Sequence, residues 1–275
     1  MIDTHVHFWE YNEIRDSWID ENMSIIRRNF LPQDIDILLT ENKVDGIIAV
    51  QADQSEAETD FLLSLSRQYP KIFGIVGWVD LQDYHLEERL EKYLGSPKIC
   101  GWRHIVQAEP KGFLNNPLFI KNVRILGKHD YAYGILVYHY QLPEVLEFVS
   151  QLPDQPLVLN HLGKPDLKTF EKYNWQYQID RLAKYPNVFC KLSGLVTEAE
   201  TGKWTCEMVH DYLNFVIEKF GVERVMFGSD WPVMLLNSNY SEWLNLVKEY
   251  LNKFSKSEQS LILHENAVRC YQLKI

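Results

Sequence analysis

The chain opens with the stretch IDTHVHF at residues 2–8, in which apolar residues enclose the histidines His5 and His7. Successive side chains of a β-strand point to opposite faces, so residues two positions apart share a face. The spacing therefore predicts a strand with Asp3, His5 and His7 on one face and the apolar residues on the other. A polar face of this kind needs water or a metal ion beside it, which indicates a site at the start of the chain.

Seven further short apolar runs follow this strand. They lie at 44–50, 73–79, 99–105, 133–139, 156–161, 187–193 and 224–230. Most of these runs are continuous rather than strictly alternating, as expected for the strands of a parallel sheet that is covered on both faces.

Helical patterns of apolar residues separate the strands. They lie at 33–42, 56–69, 84–94, 117–128, 143–151, 176–185, 207–220, 241–251 and 258–271. Ser55 and Glu58 have the spacing of a capping box at the start of the second of these helices. Eight alternations of strand and helix predict an α/β fold, a (β/α)8 TIM barrel formed by residues 1–275 as a single domain. An open doubly wound sheet would instead place a glycine-rich loop after the first strand, and the sequence has none there.

The composition is that of a globular protein, with 46% apolar residues, and its charge is acidic, with a net value of −10. The chain has no basic run, which argues against nucleic acid and anionic membranes as partners. No apolar run is long enough to span a membrane, and the first strand leaves no room for a signal peptide. The four cysteines lie far apart, which favours reduced thiols in a cytoplasmic protein. The sequence permits a homodimer but does not require one.

The carboxyl ends of the strands carry the residues expected to do chemistry, because active sites of TIM barrels form at that end. The expected catalytic residues are His5, His7, His161 and Asp230. The expected substrate-binding residues are Arg103, His104, Gln141, Trp9, Lys191 and Trp78. Aromatic rings among them suit the C–H faces of a sugar ring.

Each candidate also has a purely structural interpretation. The histidines would then be packed and hydrogen-bonded within the core, and Asp230 would cap the following helix. Arg103 would form an ion pair at the surface. Lys191 lies within an apolar strand, so it needs a partner, and a carboxylate such as Asp230 or Asp3 would supply one. The convergence of so many ionisable groups at one end of the barrel favours the functional interpretation.

Six sequence blocks resemble the sugar-lactonase branch of the amidohydrolase superfamily, which includes L-fuconolactonase, L-rhamnonolactonase and 2-pyrone-4,6-dicarboxylate lactonase. The blocks are MIDTHVHFWE, VQADQSEAETDFLL, GWRHIVQ, LVLNHLGKPD, FCKLSGLVTEA and MFGSDWPV, and the resemblance runs from residue 2 to about residue 272. It implies a barrel that hydrolyses lactones, with Arg103 binding oxygen atoms of the substrate. It also implies a metal-binding or catalytic set of His5, His7, His161 and Asp230.

The sequence departs from the superfamily pattern at three points. Lys191 occupies the strand on which many members carry a further metal-binding histidine. The middle strands offer no clear match for the residue that bridges two metals, and Asn160 stands where the branch usually has Asp. These departures leave two alternatives, a single divalent metal such as Zn²⁺ or Mn²⁺, or no metal.

The function expected from the residues and the resemblance together is hydrolysis of a small-molecule sugar-acid (aldono) lactone to the open-chain acid. Asp230 would activate water, while the histidines polarise the carbonyl directly or through one metal. The loops at 9–31, 107–116 and 197–205 are expected to shape the pocket. Two alternatives stay open, a metal-dependent decarboxylase or C–C hydrolase of the same superfamily and a non-catalytic ligand-binding barrel.

Overall fold

The predicted strands form one parallel sheet in chain order in the computed structural model, which describes residues 1–169 and 172–275. Strands β1 to β8 span Ile2–Val6, Gly46–Val50, Ile72–Gly77, Ile99–His104, Ala132–Ile135, Leu157–Leu159, Val188–Leu192 and Val225–Phe227. All of the predicted runs are confirmed as strands. Several strands are shorter than predicted, because the carboxyl ends of the runs leave the sheet and form the loops of the site.

Helices connect successive strands and surround the sheet. Helices α1 to α10 span Pro32–Glu41, Glu56–Gln68, Leu86–Glu91, Pro117–Lys128, Leu142–Val149, Tyr173–Leu182, Cys206–Phe220, Tyr240–Leu251, Lys256–Ser260 and Asn266–Cys270. The helix predicted at 258–271 is interrupted, since a π-helical turn at Leu261–Glu265 separates α9 from α10. Among the described residues, no helix combines the length and the apolar character that a membrane span requires.

The start of α2 corrects the predicted capping box. The Oγ atom of Ser55 accepts a hydrogen bond from the backbone N–H of Glu58 at 3.2 Å, as a cap requires. The Glu58 carboxylate, however, accepts from the backbone N–H of Ala52 at 3.0 Å rather than from that of Ser55. Glu58 therefore ties the loop after β2 to the helix and is buried there.

Hydrogen bonds between β1 and the segment that follows β8 close the barrel. The Asp230 N–H donates to the His5 carbonyl at 2.9 Å, and the His7 N–H donates to the Trp231 carbonyl at 2.7 Å. The Thr4 hydroxyl adds a bond to the Phe227 carbonyl at 2.7 Å. These bonds complete the TIM barrel and place His5, His7 and Asp230 side by side.

The barrel interior below the site is filled with apolar side chains. Each strand contributes to this inner cluster, which contains Ile2, Val50, Val76, Cys100, Ala132, Val158, Phe189 and Met226. The C-terminal residues Tyr271 and Leu273 pack against it. The interior is therefore a packed core, and polar chemistry is confined to the carboxyl end of the strands.

The expectation that Asp3 shares a face with His5 and His7 is wrong. The pairing of β1 with β2 shifts register between Asp3 and Val6, which marks an irregularity of the strand. The Asp3 carboxylate accepts a hydrogen bond from the hydroxyl of Tyr240 on α8 at 3.0 Å, so it faces the helix layer. His5 instead contacts residues of β4 and β7 and faces the barrel interior.

Candidate active site

Four side chains converge at the carboxyl end of the barrel. The Oδ1 atom of Asp230 lies 3.7 Å from Nε2 of His5, 3.4 Å from Nε2 of His7 and 3.8 Å from Nε2 of His161. The Nε2 atoms of His5 and His7 are 3.2 Å apart. All four residues are buried, so one small space is bounded by three imidazole nitrogens and one carboxylate oxygen.

Left-handed backbone positions two of these residues. Residues 161–164 all have positive φ, between 46° and 71°, and Asp230 has a φ of 65°. Such a conformation costs a non-glycine residue about 1 kcal/mol or more and persists only where neighbouring contacts enforce it. The Trp175 indole supplies one such contact, donating to the Leu162 carbonyl at 2.8 Å. The turn directs the His161 ring toward Asp230.

Gly194, which follows β7, makes room for this arrangement. A β-carbon at this position would lie 2.4 Å from Nδ1 of His161 and 3.0 Å from Oδ2 of Asp230. Its φ of 59° also lies in the region that glycine adopts without strain. Any side chain here would displace the His161 ring from the site.

Hydrogen bonds behind the rings orient two of the histidines. Nδ1 of His7 lies 2.7 Å from the Val50 carbonyl, which can only accept, so Nδ1 carries the proton of the neutral ring. Its Nε2 lone pair therefore faces Asp230. Nδ1 of His161 lies 2.9 Å from the Ser193 hydroxyl, which fixes the plane of that ring. Metal-binding histidines typically form a hydrogen bond of this kind at the ring nitrogen that does not bind the metal.

Arg103 joins the floor of the site from β4. Its Nη1 lies 3.1 Å from Nε2 of His5, and its Nη2 donates to the carbonyl of Gln51 at 2.5 Å and to Oε1 of Gln51 at 2.8 Å. A guanidinium can only donate, so Nε2 of His5 presents a lone pair. Gln51 thus holds Arg103 in one orientation at the floor.

Lys191 lies beneath His5 and corrects the expectation of a carboxylate partner. Its Nζ donates to the Thr4 carbonyl at 2.5 Å and lies 3.3 Å from Nδ1 of His5. Burial, with the charge of Arg103, lowers the pKa of Lys191 to about 7. Lys191 therefore supports His5 from behind.

Burial and neighbouring charges set the protonation of the site. Burial lowers the pKa of His161 to about 3 and holds that of His5 well below its usual value, so both rings are neutral near pH 7. For Asp230, burial acts to raise the pKa, but the positive charges of protonated His161, His7 and Lys164, with a hydrogen bond from protonated His7, outweigh it and hold the pKa below its usual value. The floor thus combines neutral imidazoles with an ionised carboxylate.

A cavity of about 530 Å³ opens above this floor. Among the expected site residues, it is lined by His7, Trp9, Arg103, His161 and Asp230. Its volume suits a small ligand. His5 lies just below the lining and contacts it through His7 and Arg103.

Besides Lys191, three expected substrate-binding residues are not part of the described lining, because their polar atoms or backbone bond to other elements. Nε2 of His104 lies 2.7 Å from the Glu109 carboxylate. The side-chain amide of Gln141 is engaged by the backbone at both atoms. Its Oε1 accepts from the N–H of Tyr138, and its Nε2 donates to the carbonyl of Val106. Trp78 lies away from the cavity, where its backbone N–H and carbonyl both bond to the Thr59 hydroxyl.

The loops contribute residues that the sequence did not single out. From 9–31 come Arg15, Ser17 and Trp18, and from 107–116 come Gln107 and Ala108, as the loop positions predicted. The loop at 197–205 supplies no described lining residue. Lys164 lines the cavity instead, and its Nζ pairs with Glu198 at 3.1 Å. The sequence signal for Lys164 is its place in the block LVLNHLGKPD, three residues after His161.

The donor set fits a divalent metal ion. Ligand atoms of His5, His161 and Asp230 lie within 4.8 Å of one another, and all three residues are buried. Nε2 of His7 lies within the same small space. Neutral imidazole nitrogens with one carboxylate are the ligands that zinc and similar transition metals prefer.

Sequence comparisons match the chain to known proteins over nearly its whole length. The profile of the amidohydrolase family matches residues 2–273. An L-fucono-1,5-lactonase of Burkholderia multivorans is 38% identical over 284 residues, covering 99% of this chain and 96% of that protein. An L-fucono-1,5-lactonase of Burkholderia ambifaria is 30% identical over 277 residues, covering 99% of this chain and 95% of that protein.

The fold also matches a solved structure closely. The crystal structure of an amidohydrolase from Burkholderia multivorans with bound zinc superposes with a TM-score of 0.96 at 37% identity. The match covers 99% of both chains. The barrel and its loops are thus shared with that protein throughout.

Proposed function

This chain belongs to the amidohydrolase family, and we propose that it hydrolyses a sugar-acid lactone to the open-chain acid. It is a hydrolase that acts on the ester bond of a small-molecule lactone, in keeping with the L-fucono-1,5-lactonases to which it is similar. The observation that carries this proposal is the meeting of Asp230 with His5, His7 and His161 at the floor of a ligand-sized cavity.

Asp230 is the proposed base. Lactone hydrolysis needs a group that takes a proton from the attacking water, and Asp230 is ionised and lines the cavity. Its backbone is fixed by the hydrogen bond to the His5 carbonyl. The same carboxyl group can then return the proton to the leaving alkoxide as the ring opens.

Arg103 is the proposed binder of the lactone oxygen atoms. It is buried and lines the cavity, and Gln51 holds it in a single orientation. A preorganised cation beside the scissile carbonyl stabilises the negative charge that develops on its oxygen. His7 and His161 border the same space and restrict the orientation of the carbonyl.

We infer that His5, His7, His161 and Asp230 hold one divalent cation, either Zn²⁺ or Mn²⁺, and that the lone pair of Nε2 of His5 then binds the ion in place of the N–H of Arg103. When bound, such an ion polarises the lactone carbonyl and lowers the pKa of water. Val50 and Ser193 hold two of the rings in orientations that suit this role. Lys191, when it is protonated, would disfavour a second cation beside His5.

The charge balance of the cavity favours a neutral hydroxylated lactone over a substrate rich in carboxylates. Lys164 is paired with Glu198, and Arg15 is paired with Asp16. Asp53 adds a further carboxylate to the lining. A decarboxylase would need cations in excess to hold its acidic substrate, so this alternative is less well supported.

A panel of aldonolactones tests the proposal. Release of acid is followed at constant pH, with and without added Zn²⁺ or Mn²⁺, alongside an aromatic carboxylic acid as a decarboxylation substrate. We expect rapid acid release from at least one aldonolactone. Turnover of the aromatic acid alone would overturn the proposal, and binding without turnover would support a non-catalytic barrel.

We also propose that the protein works in the cytoplasm. Cys100, Cys190, Cys206 and Cys270 are all free, and three of them are buried. Free thiols are typical of proteins in reducing compartments. Secretion of the protein into an oxidising compartment, measured by fractionation, would overturn this proposal.

A further inference from the structure

Residues 10–29 form an excursion that leaves and rejoins the barrel at one point. The N–H of Trp9 donates to the carbonyl of Phe30 at 2.9 Å, and the N–H of Phe30 donates to the carbonyl of Trp9 at 2.9 Å. Their rings pack edge to face with centroids 5.4 Å apart. Trp18 of the excursion packs on Trp9 with centroids 5.9 Å apart. The excursion is thereby folded back along the wall of the cavity.

Arg15 is held rigidly within this excursion. Its Nε and Nη2 donate to the two carboxylate oxygens of Asp16 at 2.8 and 2.7 Å, and Nη2 also donates to the Glu10 carbonyl at 2.6 Å. Asp16 is only 3% exposed and accepts a further bond from the Asn12 N–H. A fork of this kind to a buried carboxylate fixes the plane of the guanidinium.

The fixed guanidinium retains donors for a ligand. Arg15 lines the cavity, and its side chain is 35% exposed. Its Nη1 atom forms no hydrogen bond with any residue that the structure describes. Lys164 is another cation of the lining, but its Nζ already forms an ion pair with Glu198. Arg15 therefore offers a preoriented N–H pair that the protein itself leaves unused.

The surroundings of Arg15 favour a hydroxyl group over an anion. Asp16 already balances its charge, and Asp53 lines the same cavity and would repel a carboxylate. Trp18 lines the same cavity and is 43% exposed. An aromatic face next to fixed hydrogen-bond donors and a carboxylate acceptor is suited to the C–H and O–H groups of a polyhydroxylated ring.

We propose that Arg15 and Trp18 determine the substrate specificity of this site. Arg15 donates hydrogen bonds to hydroxyl oxygens of the lactone, and Trp18 covers a C–H face of the same molecule. This inference rests on the proposed lactonase function and adds which residues recognise the hydroxylated part of the substrate. Arg15 forms no bond to the histidines or to Asp230, so it acts on binding rather than on the chemical step.

The test compares an aldonolactone with δ-valerolactone, which has the ester but no hydroxyl groups. For Arg15→Met, we expect kcat/KM on the aldonolactone to fall about tenfold to a hundredfold, mainly through KM. On δ-valerolactone the variant should match the wild type within about twofold. Trp18→Ala should raise KM for the aldonolactone, with a smaller effect on δ-valerolactone.

Two further variants separate recognition from folding. Arg15→Met leaves the buried Asp16 without its cation, so the double variant Arg15→Met/Asp16→Asn removes the donor without leaving a buried charge. Arg27→Met is the matched control, because Arg27 belongs to the same excursion but contacts Tyr11 and Glu13 and is outside the described lining. We expect the double variant to behave like Arg15→Met and the Arg27 variant like the wild type.

Calorimetric binding of both lactones, measured with each variant combined with Asp230→Asn so that the lactone stays closed, keeps this inference distinguishable from the proposed function. A wild type that opens no lactone would refute the function, whereas recognition is measured by the preference for the hydroxylated ligand in binding. Equal losses on both lactones, an equal loss in the Arg27 variant, or unchanged binding of the aldonolactone by the double variant would each overturn the role of Arg15.

Discussion

Gly194 borders the His161 ring so closely that a β-carbon at this position would lie 2.4 Å from Nδ1 of that ring. Gly194→Ala should therefore displace His161 and lower kcat/KM by at least about a hundredfold. The matched control is Gly202→Ala, since Gly202 has a φ of 69° but no atom within 4 Å of its hypothetical β-carbon. Both variants carry similar backbone strain, measured by thermal unfolding. Similar activity in the two would contradict the steric role of Gly194.

Asp230→Asn should lower kcat by about 10²- to 10⁴-fold while the protein stays folded, because the amide cannot take a proton from water. Steady-state kinetics measure the loss, and circular dichroism checks the fold. Asp166→Asn is a control from the neighbouring loop, as Asp166 bonds within its own turn to Thr169 and Lys168. Near-normal turnover of the Asp230 variant would remove it from the role of base.

Removal of metal should abolish most of the activity if the buried histidines and Asp230 bind one cation. Elemental analysis of the purified protein should give about one Zn²⁺ or Mn²⁺ per chain. Chelation should remove both the ion and the activity, and adding the ion back should restore both. His161→Ala should lower the metal content, whereas the exposed His85→Ala should not. Full activity in metal-free protein would mean that the histidines act without a metal.

Glu58 should make stability depend on pH. Burial raises the pKa of its carboxyl from 4.5 to about 7, so the folded state favours the protonated form. The contribution of Glu58 to the free energy of unfolding is then greatest below pH 4.5, the pKa of this carboxyl in the unfolded state. It falls by about 3 kcal/mol as the pH rises from 4.5 through 7. Glu58→Gln removes this contribution while retaining an oxygen that can accept the Ala52 N–H.

Chemical denaturation at pH 5 and pH 8 measures this effect. The wild type should lose more stability than Glu58→Gln between these two values, and the exposed Glu91→Gln should follow the wild type. Parallel pH dependence in the wild type and the Glu58 variant would show that Glu58 titrates normally.

The sequence predicted the barrel and the centre of the site because both depend on local patterns. Apolar runs mark strands that are covered on both faces, and carboxyl ends of parallel strands meet at one mouth. His161 and Asp230 could therefore be placed beside His5 and His7 without knowledge of the loops. Strand alternation failed at Asp3, because an irregularity in β1 turns its carboxylate toward Tyr240.

The walls of the site could not be predicted in the same way. Arg15 and Lys164 reach the cavity through loop conformations that no periodicity describes, and Lys164 depends on a left-handed turn of mostly non-glycine residues. His104 ends β4 and Gln141 follows β5, much as His161 follows β6, yet nearby partners turn their side chains away. Position at a strand end therefore identifies candidates, whereas the local hydrogen bonds decide which of them face a ligand.

The pair of backbone hydrogen bonds between Trp9 and Phe30, which joins the two ends of the excursion, has an evolutionary consequence. Insertions and deletions between these residues alter an appendage of the barrel without shifting the register of any strand. The cost of such length changes is small, since loop entropy grows only slowly with length. Descendants of this lineage can therefore acquire new substrates by exchanging a single surface segment, while the proposed catalytic residues stay unchanged.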